Sequence, residues 1–290
     1  ADRIARRHDA LSVVDHGDSA ELHAGVSGEV PVYVRTGDDG VRFSSAIQQL
    51  VAADRAIRPD WDGWAQMLAT GAPLDGRTTV AGVRRLRPWE RVRVDDRGQV
   101  SATHANWPWL DVAPSGRATA EQVGAALSAA VQEIGDRTPL APMLSGGWDS
   151  RILTVLAGLH SSEQVVARTT SSDTGTVMEE LIAAKVAEHI GVDHRILMPR
   201  RDQFGDDLHR FAEAVDHQTA CHIWFVPVQR DLHPASGTAL DGLGGGLFLG
   251  GTFADLSSSD QSALDQRFGR LTRYLQAAPA VLSPQAISTI

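Results

Sequence analysis

Apolar and polar residues alternate with period two early in the chain and shift to helical spacing later. Glu29-Val-Pro-Val-Tyr-Val-Arg, the turn Thr36-Gly-Asp-Asp-Gly and Val41-Arg-Phe-Ser-Ser predict a hairpin. Arg91-Val-Arg-Val-Asp-Asp-Arg-Gly-Gln-Val repeats that arrangement around Asp96-Arg-Gly. Between them, residues 45–53 and 61–68 carry short helical patterns. Residues 1–115 are thus expected to form a mostly β, α+β domain, and 112–120 (Val-Ala-Pro-Ser-Gly-Arg-Ala-Thr-Ala) a linker. Thr119-Ala-Glu-Gln122 fits a capping box that opens an amphipathic helix over 123–134. From there strands (138–142, 164–170, 194–198, 238–241) interleave with helices (152–159, 177–191, 207–215, 222–232). A further helical pattern begins at Arg270. Such alternation predicts βαβ units and an α/β domain over 116–290 with a mostly parallel sheet.

Composition narrows the setting. Of the 290 residues, 42% are hydrophobic and 22% charged, which suits a soluble globular protein. No apolar run reaches the roughly 20 residues that span a bilayer, and no apolar segment follows the basic Ala1-Asp-Arg-Ile-Ala-Arg-Arg. The single cysteine, Cys221, permits no internal disulfide and fits a reducing cytoplasm. A formal charge of -9 argues against a broad nucleic-acid surface. Neither nucleic acid nor membrane is expected as a partner.

The chemistry concentrates in Leu144-Ser145-Gly146-Gly147-Trp148-Asp149-Ser150-Arg151, between a strand and a helix. Gly146 and Gly147 let backbone N–H groups approach an oxyanion. Ser145 and Ser150 add hydroxyls, and the helix N-terminus favours negative charge. Asp149 would repel a bare phosphate, so a bridging Mg2+ is expected there. The plain alternative is a strand–turn–helix corner with an Asp near the cap. No Walker pattern G-x-x-x-x-G-K-[ST] is present. Thr170 and Ser171 follow a strand and suit adenine or ribose contacts, or simply a polar loop. Glu179 and Glu180 open a helix, where acidic residues are favourable with or without a function. His189 and His194 are separated by the helix-breaking Gly191 and make a poor metal pair. The run from Leu240 to Phe253 is rich in glycine, yet it lacks the strand and helix context of a dinucleotide fingerprint.

The loop resembles the PP-loop of ATP pyrophosphatases, which split ATP between its α and β phosphates. The chain around it resembles class B asparagine synthetases. Pro31-Val-Tyr-Val, Phe43-Ser-Ser-Ala-Ile-Gln-Gln-Leu-Val and Leu74 to Val94 are similar, in order and spacing, to segments of their N-terminal-nucleophile (Ntn) glutaminase domain. Ala187-Glu-His-Ile-Gly-Val-Asp-His and the stretch from Asp216 to Trp224 resemble segments of their synthetase domain. The resemblance implies an Ntn-like α+β domain over 1–115 and an ATP pyrophosphatase domain over 116–290, using ATP and Mg2+. It places Leu144, Ser145, Gly146, Gly147, Asp149, Ser150, Thr170, Ser171, Asp241 and Gly242 around the nucleotide, with Asp149 on the metal and Asp149 and Ser145 in the chemistry.

Three departures qualify it. Ala1 stands where the glutaminase has its nucleophilic Cys, so glutamine hydrolysis is expected to be absent. Gly246 and Leu247 stand where the glycine-rich loop has its acidic pair, leaving Asp149 as the one matched metal ligand and Asp241 as a substitute. The chain also stops before the family's pyrophosphate-contacting Lys, so the second domain is expected to be incomplete. Relatives without glutaminase activity include lasso-peptide cyclases and β-lactam synthetases. The expected activity is therefore ATP-dependent amide formation through an acyl-adenylate, with peptide macrolactam closure favoured by the Ser-Gly-Gly-Trp-Asp-Ser-Arg variant. Its partner would be a peptide or small amino-acid-like substrate, delivered where needed by another biosynthetic protein. A true asparagine synthetase, a β-lactam synthetase and a nucleotide-binding scaffold are the alternatives. His217 and His222 are candidates for proton handling.

Overall fold

The computed structural model describes residues 12–25, 30–37, 40–52, 54, 56–88, 90–104, 119–161, 163–171, 177–219, 221–232 and 237–248, with positions 265, 283 and 284; side chains are described for all of these but 102–104 and 247–248. The chain divides into two compact units, Ala1–Ser115 with Ala212–Cys221 and Ser262–Ile290, and Gly116–Phe211 with His222–Gln261.

In the first unit, strands β1 (Ser12–Asp15), β2 (Ser19–His23), β3 (Tyr33–Gly37), β4 (Gly40–Ser44), β5 (Val83–Arg85), β6 (Glu90–Asp95) and β7 (Val100–His104) form two antiparallel sheets. Their orders are β1-β2-β6-β7 and β4-β3-β5. Successive residues of a strand point to opposite faces, and β3 uses both. Val34 joins Leu22, Val32, Leu86 and Val92 in a cluster shared by the two sheets. Tyr33 turns the other way, with Val83, onto Ile47, Leu50 and Val51 of helix α1 (Ile47–Val51). Burial pushes the Tyr33 hydroxyl up to about 12, helped by the nearby Asp216 carboxylate. A second helix, α2 (Trp61–Thr70), is capped by the Asp60 carboxylate, which accepts from the Gly63 N–H.

Helix α1 has no cap of its own, because Ala46 offers no side-chain acceptor. The Ile47 N–H instead donates to Asp216 Oδ1 at 3.1 Å. Two residues on, Gln218 accepts from the Thr79 N–H (3.0 Å) and donates to Thr79 Oγ1 (2.7 Å). The Thr219 hydroxyl donates to the Gly71 carbonyl at 2.7 Å. A segment far along the chain is thus sewn into the first unit. Asp216 is a buried structural cap, and His217 beside it gives its carbonyl to Thr79 Oγ1 at 3.4 Å.

The described residues support the α+β character expected of this unit but do not by themselves identify an Ntn glutaminase fold. The β1–β2 hairpin and β5 were not expected.

The second unit opens with α3 (Ala120–Gly135), whose capping box between Thr119 and Gln122 forms as expected. Then come β8 (Leu140–Pro142), α4 (Trp148–His160), β9 (Val166–Thr170), α5 (Met178–Ile190) and β10 (Asp193–Leu197). A 3-10 turn at Arg201–Gln203 leads into α6 (Phe204–Ala214), and α7 (Phe225–Leu232), β11 (Thr238–Leu240) and α8 (Gly245–Phe248) follow. The α7 pattern expected from residue 222 starts three residues later, after a turn in which His222 has φ 72°. The pattern at Arg270, the second glycine pair Gly250-Gly251 and most of the linker lie outside the described residues.

The sheet is parallel but small. Ladders β10–β9 and β11–β8 are joined by a single bridge, Met143 to Arg168, giving the order β10-β9-β8-β11. The physical reason is proline: Pro142 brings no N–H to the side of β8 that faces β9, so that link reduces to the Leu144 N–H on the Arg168 carbonyl at 2.7 Å. Val131, Leu140, Ala157, Val165 and Leu240 form one core cluster, and Leu144, Ala167, Ala183 and Ala187 another under α5. Small alanines let α5 sit close to the sheet.

Candidate active site at the switch of strand order

From β8 the chain steps to β9 and β10 on one side, then returns to place β11 on the other. Beyond the carboxyl ends of such strands a crevice opens where the winding reverses. The loop after β8 carries Ser145 to Ser150, and the loop after β11 carries Asp241 and Gly242. Both loops line one cavity of about 500 Å³.

The first loop is held by its own hydroxyls. Ser150 Oγ accepts from the Ser145 N–H at 3.0 Å and lies 2.9 Å from Ser145 Oγ and 3.2 Å from the Gly147 carbonyl. Ser145 Oγ in turn accepts from the Gly147 N–H at 3.1 Å. Ser150 is buried, and its hydroxyl shapes the loop from inside. The Arg151 guanidinium donates to the Gly146 carbonyl at 2.7 Å and lies 5.1 Å from the centre of the Trp148 ring. Gly147, the N-cap of α4, gives no side-chain acceptor to the first-turn N–H groups. A helix end without a cap is an anion site in waiting.

Of the sequence-predicted residues, Leu144, Ser145, Gly147, Asp149 and Ser150 line the cavity from the first loop. Thr170 and Ser171 line it from β9, and Asp241 and Gly242 from β11. Gly146 is not part of the lining; it packs towards Ile182, which a Cβ would meet at 3.4 Å. Thr169, Glu179 and Trp224 also face the cavity. Neither Thr169, inside a strand, nor Trp224, at the end of the Asp216–Trp224 stretch, was singled out as a site residue from the sequence. Trp224 stacks on Phe225 with ring centres 4.1 Å apart, and the His222 ring meets Trp224 edge-on at 5.8 Å.

Thr169 has one hydroxyl proton and gives it to the Leu144 carbonyl at 2.6 Å. Its oxygen therefore accepts from His194 Nε2 at 2.7 Å, which fixes the proton of the neutral imidazole on that nitrogen. Burial holds His194 below its ordinary range, consistent with a neutral ring. His194 is a strut under the loop, not half of a metal pair with His189.

The two carboxylates differ. Asp149 makes no hydrogen bond or ion pair with any described residue. Asp241 accepts from the Leu243 N–H at 3.2 Å through Oδ1, while its Oδ2 is buried with no partner among the described residues. Burial pushes Asp241 up; the N–H groups of Leu243 and Gly242 and the His222 ring pull it back. No cluster of three or more His, Cys, Asp or Glu side chains able to hold a metal occurs among the described residues. Mg2+ needs only one or two carboxylates when phosphate oxygens complete its shell, so Asp149 with an orphaned oxygen on Asp241 fits a nucleotide-borne Mg2+.

Residues 122–283, more than half of the chain, match the family described as asparagine synthase. The chain belongs to the asparagine synthase family. A solved structure of an NH3-dependent NAD synthetase from Campylobacter jejuni, in complex with nitrate, is 13% identical, with 59% of this chain and 91% of that one covered. Its TM-score of 0.32 gives that likeness no weight here. No curated protein matches the chain at a significant level. Among the described residues, no helix is long and apolar enough to cross a membrane.

Proposed function

We propose that this asparagine synthase family member activates a carboxylate as its acyl-adenylate and passes the acyl group to an amine. The observation that carries this is the convergence, in one cavity, of the uncapped α4 N-terminus, Asp149 and Asp241. A substrate carboxylate oxygen attacks the α-phosphorus of ATP. The bond from that phosphorus to the bridging oxygen breaks, and its electron pair leaves with pyrophosphate. The amine then attacks the acyl carbon, AMP departs with the electrons of the acyl–oxygen bond, and the amine nitrogen loses a proton. The loop and first-turn N–H groups of α4 would receive the pyrophosphate charge. A preorganised donor of this kind contributes about 3–4 kcal/mol to a transition state. Asp149 is the residue that would hold Mg2+, which supplies charge neutralisation on the phosphate oxygens when bound. Ser145 and Gly147 would lie along the pyrophosphate, and Thr170, Ser171 and Gly242 along the adenosine.

The finer reading is macrolactam closure of a peptide, supported by the resemblance of the Ser145–Arg151 sequence to lasso-peptide cyclases. The first unit then reads as a glutaminase-like domain. Cys221, the one thiol in these 290 residues, sits partly buried with its sulfur 4.0 Å from the Gly71 carbonyl.

The test is pyrophosphate release from ATP with linear peptides bearing a side-chain carboxylate and a free amine. Macrolactam closure predicts equal AMP and pyrophosphate, loss of one water from the peptide mass, and no need for glutamine or ammonia. Asparagine or β-lactam synthesis would instead show release with aspartate plus ammonia or with a small amino acid. ATP binding without release for any substrate would leave only a scaffold. Asp149→Ala should cut release by at least about 100-fold, and undiminished turnover would refute the assigned role.

A further inference from the structure

We propose that Asp241 is a second carboxylate ligand of the divalent cation that enters this cavity with ATP, meeting Asp149 from the facing loop. The inference rests on the cavity being the ATP site. It concerns a position ahead of the glycine run, whereas the acidic pair of the resembling loop falls on Gly246 and Leu247.

Four observations carry it. The first is backbone proximity. A Cβ built on Gly242 would lie 2.9 Å from the Ser150 nitrogen and 3.1 Å from Asp149 Cβ, and one on Gly245 would lie 2.4 Å from Asp149 Cγ. The loop after β11 is therefore pressed against the residue that carries the first carboxylate, and only glycine permits this approach.

The second is the state of the Asp241 carboxylate. Its Oδ1 is held by the Leu243 N–H, while Oδ2 is closed to solvent and receives no hydrogen bond from the described residues. A buried carboxylate oxygen without a donor is costly, and a proton or a compact cation is what completes it.

Third, Asp149, across the same cavity, makes no hydrogen bond or ion pair with any described residue. Finally, the donor set is made of hard oxygens, with no cluster of three or more potential metal ligands among the described residues. Two carboxylates without a third protein ligand make a weak cation site alone and a good one beside phosphate oxygens, which is the habit of Mg2+. The cation should accordingly bind with the nucleotide and not before it.

The experiment is Mn2+ binding to the full chain, followed by electron paramagnetic resonance, with and without α,β-methylene-ATP, which resists cleavage between the α and β phosphates. Wild type is expected to take up Mn2+ only with the analogue. Asp241→Asn should weaken that uptake at least about tenfold, as should Asp149→Asn, with affinity for the metal-free analogue unchanged or higher and the thermal melt preserved. Asn mimics a protonated Asp, so wild-type Mn2+ binding by Asp241→Asn would show that a proton satisfies Oδ2 and would overturn the proposal. Equal loss of metal-free analogue would also overturn it, making Asp241 a nucleotide contact. If Asp241→Asn does not fold, Asp241→Ser carries the same comparison. Failure of wild type to bind the analogue in any form would strike down the ATP reading itself, an outcome distinct from these.

Discussion

Gly245 shows how one missing methyl group can protect a site. In the short helix α8, glycine is a poor helix former, and alanine would favour the helix by about 1 kcal/mol. Yet a Cβ there would lie 2.4 Å from Asp149 Cγ, so the carboxylate would have to swing away. Gly245→Ala is expected to leave the circular dichroism spectrum unchanged and to lower pyrophosphate release at least about tenfold, because a displaced catalytic group loses its alignment. Unaltered release would mean that the Asp149 position is not critical. Several residues were legible as types: Ser145, Asp149 and Asp241 belong to motifs, and the cavity gathers them. What could not be read was division of labour. Ser150 is spelled like an anion donor, but its hydroxyl is committed to Ser145 and Gly147. Such commitments depend on distances that spacing does not encode.

The element that governs the loop from below is β9 with its neighbour β10. Thr169 on β9 ties Leu144, at the start of the loop, to His194 on β10. Since burial depresses His194, protonating it must disturb that tie. The folded value lies below the unfolded one of about 6.5, so the unfolded chain binds the proton more readily. The stability that neutral His194 contributes is fully present above about pH 6.5 and is lost as pH falls through the depressed value. Urea titrations should show this loss, and His194→Gln should flatten it; an unchanged acid limb in the variant would exclude His194 as its source. At this scale the α3 capping box and the βα alternation were readable, because both are periodic or local. The size of the sheet was not, because β8 and β11 have three residues each and Pro142 acts on the pairing with β9.

For the molecule as a whole, membership of the two units does not follow chain order. Asp216, with φ 51°, and His217, with φ 58°, turn the segment so that it can serve the first unit. Burial raises Asp216, while N–H groups of Ile47 and Gln48 pull it back. Its folded value therefore lies above the unfolded one, and its contribution is fully present below about pH 3.8 and lost as pH rises through the folded value. Asp216→Asn retains an acceptor for Ile47 without the buried charge. That variant should match or exceed wild type in urea stability at pH 7, whereas Asp216→Ala should lose about 1 kcal/mol with the cap. Equal losses in both would show that the charge itself is needed. None of this was visible in the sequence, where Asp216 and Ile47 are 169 positions apart and nothing local announces a cap.

The same stitching bears on how the polypeptide could be dissected. Cutting at the linker near residue 115 would carry Ala212–Cys221 off with the wrong fragment, away from Ile47, Gly71 and Thr79. The amino-terminal fragment would keep an uncapped α1, and the other would carry Gln218 and Thr219 stripped of their partners. A peptide spanning 212–221, added in trans, would return to the first fragment the partners of Ile47, Gly71 and Thr79.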